Sequence, residues 1–77
     1  MKTTLATLTL GAQARIVSVE AEKSLKERLY DLGLTPGCRV RCLFCAPSGD
    51  PRAYLVRGTM LAIRNRDAAK VEVDLWD

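Results

Sequence analysis

Histidine is absent from the 77 residues of the chain, and aromatic residues make up only 5% of it. Without histidine, the commonest general base and the commonest metal ligand are missing, so serine-type triads and histidine-rich metal centres are excluded. Long apolar runs are also missing, and the first eleven residues alternate Thr and Leu rather than building an apolar stretch before a cleavage site. No membrane span and no signal peptide are therefore expected. Cysteine is scarce and odd in number, with three residues, which in a chain without an export signal fits a reducing cytosol better than a disulfide framework. Length is the last shortage. Folding hides only about 60% of the surface of so short a chain, which leaves no volume for a deep cleft beside a core and argues against a large-pocket enzyme.

What is present suffices for one core. Hydrophobic residues make up 48% and charged residues 27%, close to the globular average, and no repeat, low-complexity tract or linker interrupts residues 1–77, which are read as a single domain. Twelve Lys and Arg against nine Asp and Glu give a formal charge of +3, an excess that permits an acidic partner without requiring one.

Along the chain, Thr4 is placed to cap a single helical turn containing Leu5 and Leu8. Residues 14–19, rich in β-branched side chains, read as the first strand. Ser24-Leu25-Lys26-Glu27 has the form of a capping box, in which the Ser hydroxyl and the Glu carboxylate satisfy free N–H groups at a helix start. Leu25, Leu29 and Leu32 then recur at helical spacing, with Gly33 where a left-handed cap belongs, so a helix over about 25–32 is expected to bury those three leucines. Pro36-Gly37 marks a turn. Residues 38–45 read as a strand with Cys38, Val40, Cys42 and Phe44 inward and Arg39, Arg41, Leu43 and Cys45 outward. The Pro- and Gly-rich stretch 46–51 is a projecting loop, and strands follow over 52–57, 60–64 and from Val71 to Leu75 and Trp76. Between the last two, Asn65 is expected to cap a short helical turn through Lys70. About five short strands with one helix inserted after the first predict a mainly β protein, a small closed or nearly closed barrel, since closure removes exposed edges.

Of the groups that carry chemistry, Cys38, Cys42 and Cys45 invite a thiolate metal site. On one strand, however, Cys38 and Cys42 lie roughly 13 Å apart, whereas two thiolates on one metal approach within about 4 Å. Cys45 is expected on the opposite face, so the cysteines read as small hydrophobes plus one half-exposed thiol, and no metal, cofactor or catalytic residue is assigned. The carboxylates are scattered. Asp31, in the last turn of the helix where a negative charge is disfavoured, asks for a structural partner, and Asp50 is expected to close its own turn. Single-stranded nucleic acid is a weaker alternative: the chain is basic, but Tyr30, Phe44, Tyr54 and Trp76 are dispersed and no basic run is denser than Arg64-Asn65-Arg66.

Three segments resemble the FeoA family of bacterial ferrous iron transport: Leu29-Tyr30-Asp31-Leu32-Gly33-Leu34-Thr35-Pro36-Gly37, Ala46-Pro47-Ser48-Gly49-Asp50-Pro51 and Leu61-Ala62-Ile63-Arg64. Their order and spacing match as well, as do the Leu-rich start before Gly11 and the Ala14-Arg15-Ile16-Val17 strand, so the resemblance covers almost the whole chain. The cysteines fall outside the family pattern. The resemblance implies an SH3-like barrel without catalytic activity, cytoplasmic and peripheral to the inner membrane, that supports or regulates ferrous iron uptake through contact with the FeoB transporter or its GTPase domain. No nucleic-acid partner and no insertion into the membrane are expected, and a monomer or weak homodimer is. The alternative the resemblance carries is a regulatory module related to the C-terminal domain of metal-dependent repressors. Function is then expected on a surface, either the groove between the helix and the loop 46–51 or the open edge near Gly58-Thr59. The partner-binding candidates are Arg28, Asp31, Ser48, Asp50 and Met60.

Overall fold

The computed structural model describes residues 1–75; Trp76, expected to continue the last strand, and Asp77 lie outside the described residues. Six strands, β1 (Lys2–Thr4), β2 (Gln13–Val19), β3 (Arg39–Cys45), β4 (Arg52–Val56), β5 (Thr59–Ile63) and β6 (Val71–Leu75), join two helices, α1 (Lys23–Asp31) and α2 (Asn65–Ala68), and a 3-10 turn at Leu5–Thr7. The strands form one sheet in the order β1-β6-β2-β3-β4-β5, antiparallel at every pairing. Among the described residues β1 and β5 are its two edges, so of the closed or nearly closed barrel expected, the sheet is the version that stays open between two strands.

The sixth strand is β1. Lys2, Thr3 and Thr4 carry no apolar alternation; they become a strand only because β6, seventy residues later in the chain, lies beside them in register with Thr3 opposite Val73. The core is assembled from Leu5 and Leu8 of the first turn, the inward faces of the strands (Ile16, Val40, Tyr54, Val73) and Leu25, Leu29 and Leu34 around α1.

Alpha-helix α1 ends as its sequence predicts. Gly33 takes a φ of +104°, its N–H bonds the Tyr30 carbonyl at 2.9 Å and the Leu34 N–H bonds that of Leu29 at 3.0 Å, the paired closure of a left-handed cap. Its start is different. The helix begins two residues before the expected box, with Glu22 at the N-cap and no side-chain cap bond. Ser24 is thus already inside the first turn, where its hydroxyl donates to the Glu22 carboxylate at 2.8 Å instead of capping an N–H. Leu25 and Leu29 are buried, but Leu32 is 46% exposed: it is the C-cap residue, where the chain leaves the helical spiral and the apolar stripe ends. Asp31 is exposed and has no side-chain partner among the described residues, because the N–H groups of residues 32–34, the donors it would need, are already bonded to helix carbonyls.

Thr4 does sit at the N-cap of the 3-10 turn, but its side chain makes no cap bond; instead Thr7 Oγ1 donates back to the Thr4 carbonyl at 3.1 Å. Asn65 is the first residue of α2 rather than its cap, which is Arg64.

The largest correction lies in β3. Val40 faces Val56 and Cys42 faces Tyr54, all buried, but the register shifts between Cys42 and Phe44 so that Phe44 faces Ala53 and Cys45 faces Arg52. One extra residue, Leu43, inverts the alternation beyond it, since side chains on a strand change face at every residue. Phe44, expected in the core, is turned out and 53% exposed, and Cys45, expected outward, shares the inner side of the strand with Cys42.

Candidate functional site

On β4, Arg52 and Tyr54 reach under the first turn of the chain. The Arg52 guanidinium donates to the carbonyls of Leu5, Ala6 and Leu8, and the Tyr54 hydroxyl donates to the Leu5 carbonyl at 2.9 Å. Carbonyls in a 3-10 turn with no following helix need outside donors, and these two side chains supply them. Burial pushes the Tyr54 phenol up to about 12, against a smaller opposing pull from the Arg52 charge and hydrogen bond. Burial likewise raises the Cys42 thiol, with Arg52 opposing. These are groups locked inside the fold, and neither is presented to a substrate.

The loop 46–51 is tied down. Ser48 Oγ donates to the Asp50 carbonyl at 2.9 Å. Asp50 Oδ1 accepts the backbone N–H of Asn65 at 2.9 Å, and the Asn65 amide donates to the Gly49 carbonyl at 2.9 Å. Contrary to the expectation, Asp50 does not close its own turn; it satisfies the first free N–H of α2, fifteen residues away. The expected groove between α1 and this loop is not where the loop's bonds go. Gly33, just after α1, lies against Val56 and Arg57 at one end of β4, whereas the loop joins β4 at Arg52, roughly 13 Å along a strand of this length.

The five candidate residues accordingly fall in three places. Arg28 and Asp31 are exposed on α1, Ser48 and Asp50 are on the loop at the far end of β4, and Met60 is on the edge strand β5, 60% exposed. Asp50 shares a recess of about 270 Å³ with Arg64 and Arg66.

Met60 has company that the sequence reading did not assign to it. Cross-strand registers place Gln13 opposite Arg41, Arg41 opposite Leu55 and Leu55 opposite Met60, a single row across β2, β3, β4 and β5 on the outer side of the sheet. The neighbouring row, displaced by the bulge, runs Phe44, Ala53, Ala62. At the β2 end, Gln13, Arg39, Arg41, Leu55 and Arg57 line a shallow cleft of about 310 Å³, with no acidic residue in its wall among the described residues. The signal for this face was the alternation of Arg39 and Arg41, which does place both outward; Leu55 and Phe44 became part of it only through pairing.

Among the described residues no three Cys, Asp or Glu side chains converge as metal ligands, and no helix is long and apolar enough to cross a membrane.

The family model of the FeoA domain matches residues 3–75. The chain belongs to the FeoA family. A Porphyromonas gingivalis protein in which an Fe(2+) transport protein A segment is fused to the Fe(2+) transporter FeoB is 37% identical over 71 residues, and the match takes 92% of this chain but only 8% of that much longer relative. Among solved structures, Chlorobium tepidum FeoA superposes with a TM-score of 0.91 at 35% identity, covering 97% of this chain and 71% of the other. Stenotrophomonas maltophilia FeoA, a prokaryotic SH3 domain protein solved with zinc, gives 0.83 at 34% identity over 94% of this chain and 89% of the other. This FeoA domain thus has the SH3-like fold that the resemblance implied. The T. acidophilum protein IdeR shares that fold too, with a TM-score of 0.83, 22% identity and coverage of 97% of this chain and 34% of the other; at that identity the likeness is one of fold alone.

Proposed function

We propose that this FeoA domain is a non-enzymatic accessory of ferrous iron uptake that acts in the cytoplasm, peripheral to the inner membrane, by contact with the FeoB transporter. The observation that carries the reading is the P. gingivalis fusion, in which a FeoA segment and FeoB share one polypeptide. Covalent linkage fixes a high effective concentration of one partner near the other, and is useful where the two act together. When the partners are separate chains, the same proximity has to come from surface affinity.

The chemistry of the surface supports a binding role. Its accessible cleft is walled by arginines, Gln13 and Leu55, a set able to hold carboxylates and apolar groups but offering no nucleophile paired with a base. The reactive groups with raised pKa values, Cys42 and Tyr54, are both buried. Contact through the exposed flank of α1 at Arg28 and Asp31, through Ser48 and Asp50 of the loop, and through Met60 belongs to this proposal.

The deciding experiment is capture of detergent-solubilised FeoB, and separately of its isolated GTPase domain, by the purified chain with and without guanine nucleotide. Retention of FeoB is the expected result. Micromolar binding to single-stranded DNA or RNA in physiological salt, with FeoB ignored, would replace the reading by a nucleic-acid one; such binding would weaken steeply with added salt, since each neutralised phosphate releases counterions.

A further inference from the structure

We infer that the outer face of β3, β4 and β5 is the docking surface for an acidic, apolar peptide segment of FeoB, with carboxylates held in the cleft by Arg41 and Arg57 and apolar side chains laid over Leu55, Met60 and Phe44. This rests on the reading of FeoB as the partner.

Three observations converge on that face. First, it is apolar where an isolated sheet would be polar: Phe44, Leu55 and Met60 are 53%, 37% and 60% exposed and share the outer side of three adjacent strands. Second, the exposure of Phe44 follows from a built feature, the bulge at Leu43, without which the same side chain would point inward. Third, the cationic cleft adjoins the apolar strip directly, because Leu55 stands between Arg41 and Met60 in one row and lines the cleft itself. With strands about 4.8 Å apart, Arg41 to Met60 spans roughly 10 Å, the length of a few residues of peptide.

Charge selects the occupant. Among the described residues of the cleft none is acidic, and Arg41 and Arg57 stand there with Leu55 between Arg41 and Met60. A second copy of the chain meeting this face about a two-fold axis would set the arginines against themselves. Nucleic acid would supply phosphates to the cleft, but the strip beside it is aliphatic apart from Phe44, a poor platform for stacked bases. A peptide carrying Glu or Asp next to Leu-like residues satisfies both halves of the surface, and guanidinium forks suit carboxylates.

The test is an NMR titration of the isotope-labelled full chain with a short synthetic peptide containing adjacent Leu and Glu residues, with its Lys-for-Glu counterpart, and with oligo-dT. Shifts confined to the neighbourhood of Arg41, Leu55 and Met60, seen with the Glu peptide and not the Lys one, are expected. Arg41→Glu combined with Arg57→Glu should weaken the Glu peptide about tenfold or more, and Met60→Ser should weaken it at every salt concentration. Because Arg57 also donates to Thr35 Oγ1 at 3.2 Å, Arg41→Glu alone provides the variant if the pair melts early. Equal binding of the Lys peptide, stronger occupancy of the face by oligo-dT, or shifts elsewhere would overturn the proposal. The same variants in the FeoB capture separate the two levels. Capture of FeoB by wild type and variants alike overturns this face and leaves FeoB as partner, whereas failure of every chain to capture FeoB removes the FeoB reading and this occupant with it.

Discussion

Asp50 in the loop and Asn65 at the head of α2 are bonded in both directions, Asp50 Oδ1 accepting the Asn65 N–H at 2.9 Å while the Asn65 amide donates to the carbonyl of Gly49, next to Asp50, at 2.9 Å. The acceptor that a cap residue ordinarily supplies comes here from a distant loop, so the loop and the short helix hold each other.

This link predicts that Asp50→Ala lowers stability by about 1 kcal/mol, within the range for lost helix caps, which for a domain this small is a fall in melting temperature of roughly 4–8 °C. Asp50→Asn, which keeps an acceptor oxygen, should recover most of it. Ser48→Ala, at an exposed position, should move the melt much less. The loop's Asp50 therefore cannot be tested for partner binding by an alanine swap alone; uptake assays need the Asn variant beside it.

Tyr54 gives stability a pH dependence at the alkaline end. Its phenol is held up to about 12 in the fold against about 10 in an unfolded chain. Below pH 10 both states keep the proton and nothing changes. Between about 10 and 12 the unfolded chain releases it while the fold retains it, so stability falls as pH rises, by up to about 1.4 kcal/mol per unit. Denaturant melts of wild type and Tyr54→Phe across this window should converge as pH increases, since the variant lacks that slope; parallel curves would place the phenol in water.

Arg52 predicts a larger loss. Replacing it by Met removes the donor to the Ala6 and Leu8 carbonyls at once, while Leu5 keeps the Tyr54 hydroxyl and the Leu8 N–H, and leaving buried acceptors unpaired costs about 1–3 kcal/mol each where water cannot reach them. Amide hydrogen exchange should show residues 5–8 opening first, while α1 stays protected.

Three substitutions, two at leucines and one at a phenylalanine, test the packing. Leu29 is buried and Leu29→Ala should cost about 2–5 kcal/mol, whereas Leu32→Ala, at the exposed C-cap, should cost well under 1 kcal/mol. Phe44→Ala should also be mild for an aromatic truncation, because the ring is more than half exposed; a loss of several kcal/mol would mean that the ring is inside and the bulge absent.

Thiol labelling offers an independent check of which cysteines of this segment are buried. Cys42 is buried and its thiol raised by burial, while Cys38 and Cys45 are half-buried. At neutral pH an alkylating reagent should modify Cys38 and Cys45 well before Cys42, which should react only as the protein unfolds.

What the residues decided alone was local. Gly33 after a leucine-spaced helix, Pro36-Gly37, the restricted backbone of 46–51 and the alternation of Val71, Val73 and Leu75 each specify a conformation through sterics and period within a few residues, and each is present in the fold. The same segments carried the FeoA resemblance. Tertiary structure decided whatever depends on a partner distant in the chain. β1 exists because β6 pairs with it, and Asp50 is a helix cap because α2 folds back to it. Arg52 and Tyr54 are turn donors because Leu5 lies above them. Phe44 is a surface residue because one unpaired position in β3 inverts its face. Alternation is a rule with memory of only the preceding residue, so a bulge cannot be read from it. The docking face of Arg41, Leu55 and Met60 is a row across strands, contiguous in space and spread over twenty residues of sequence.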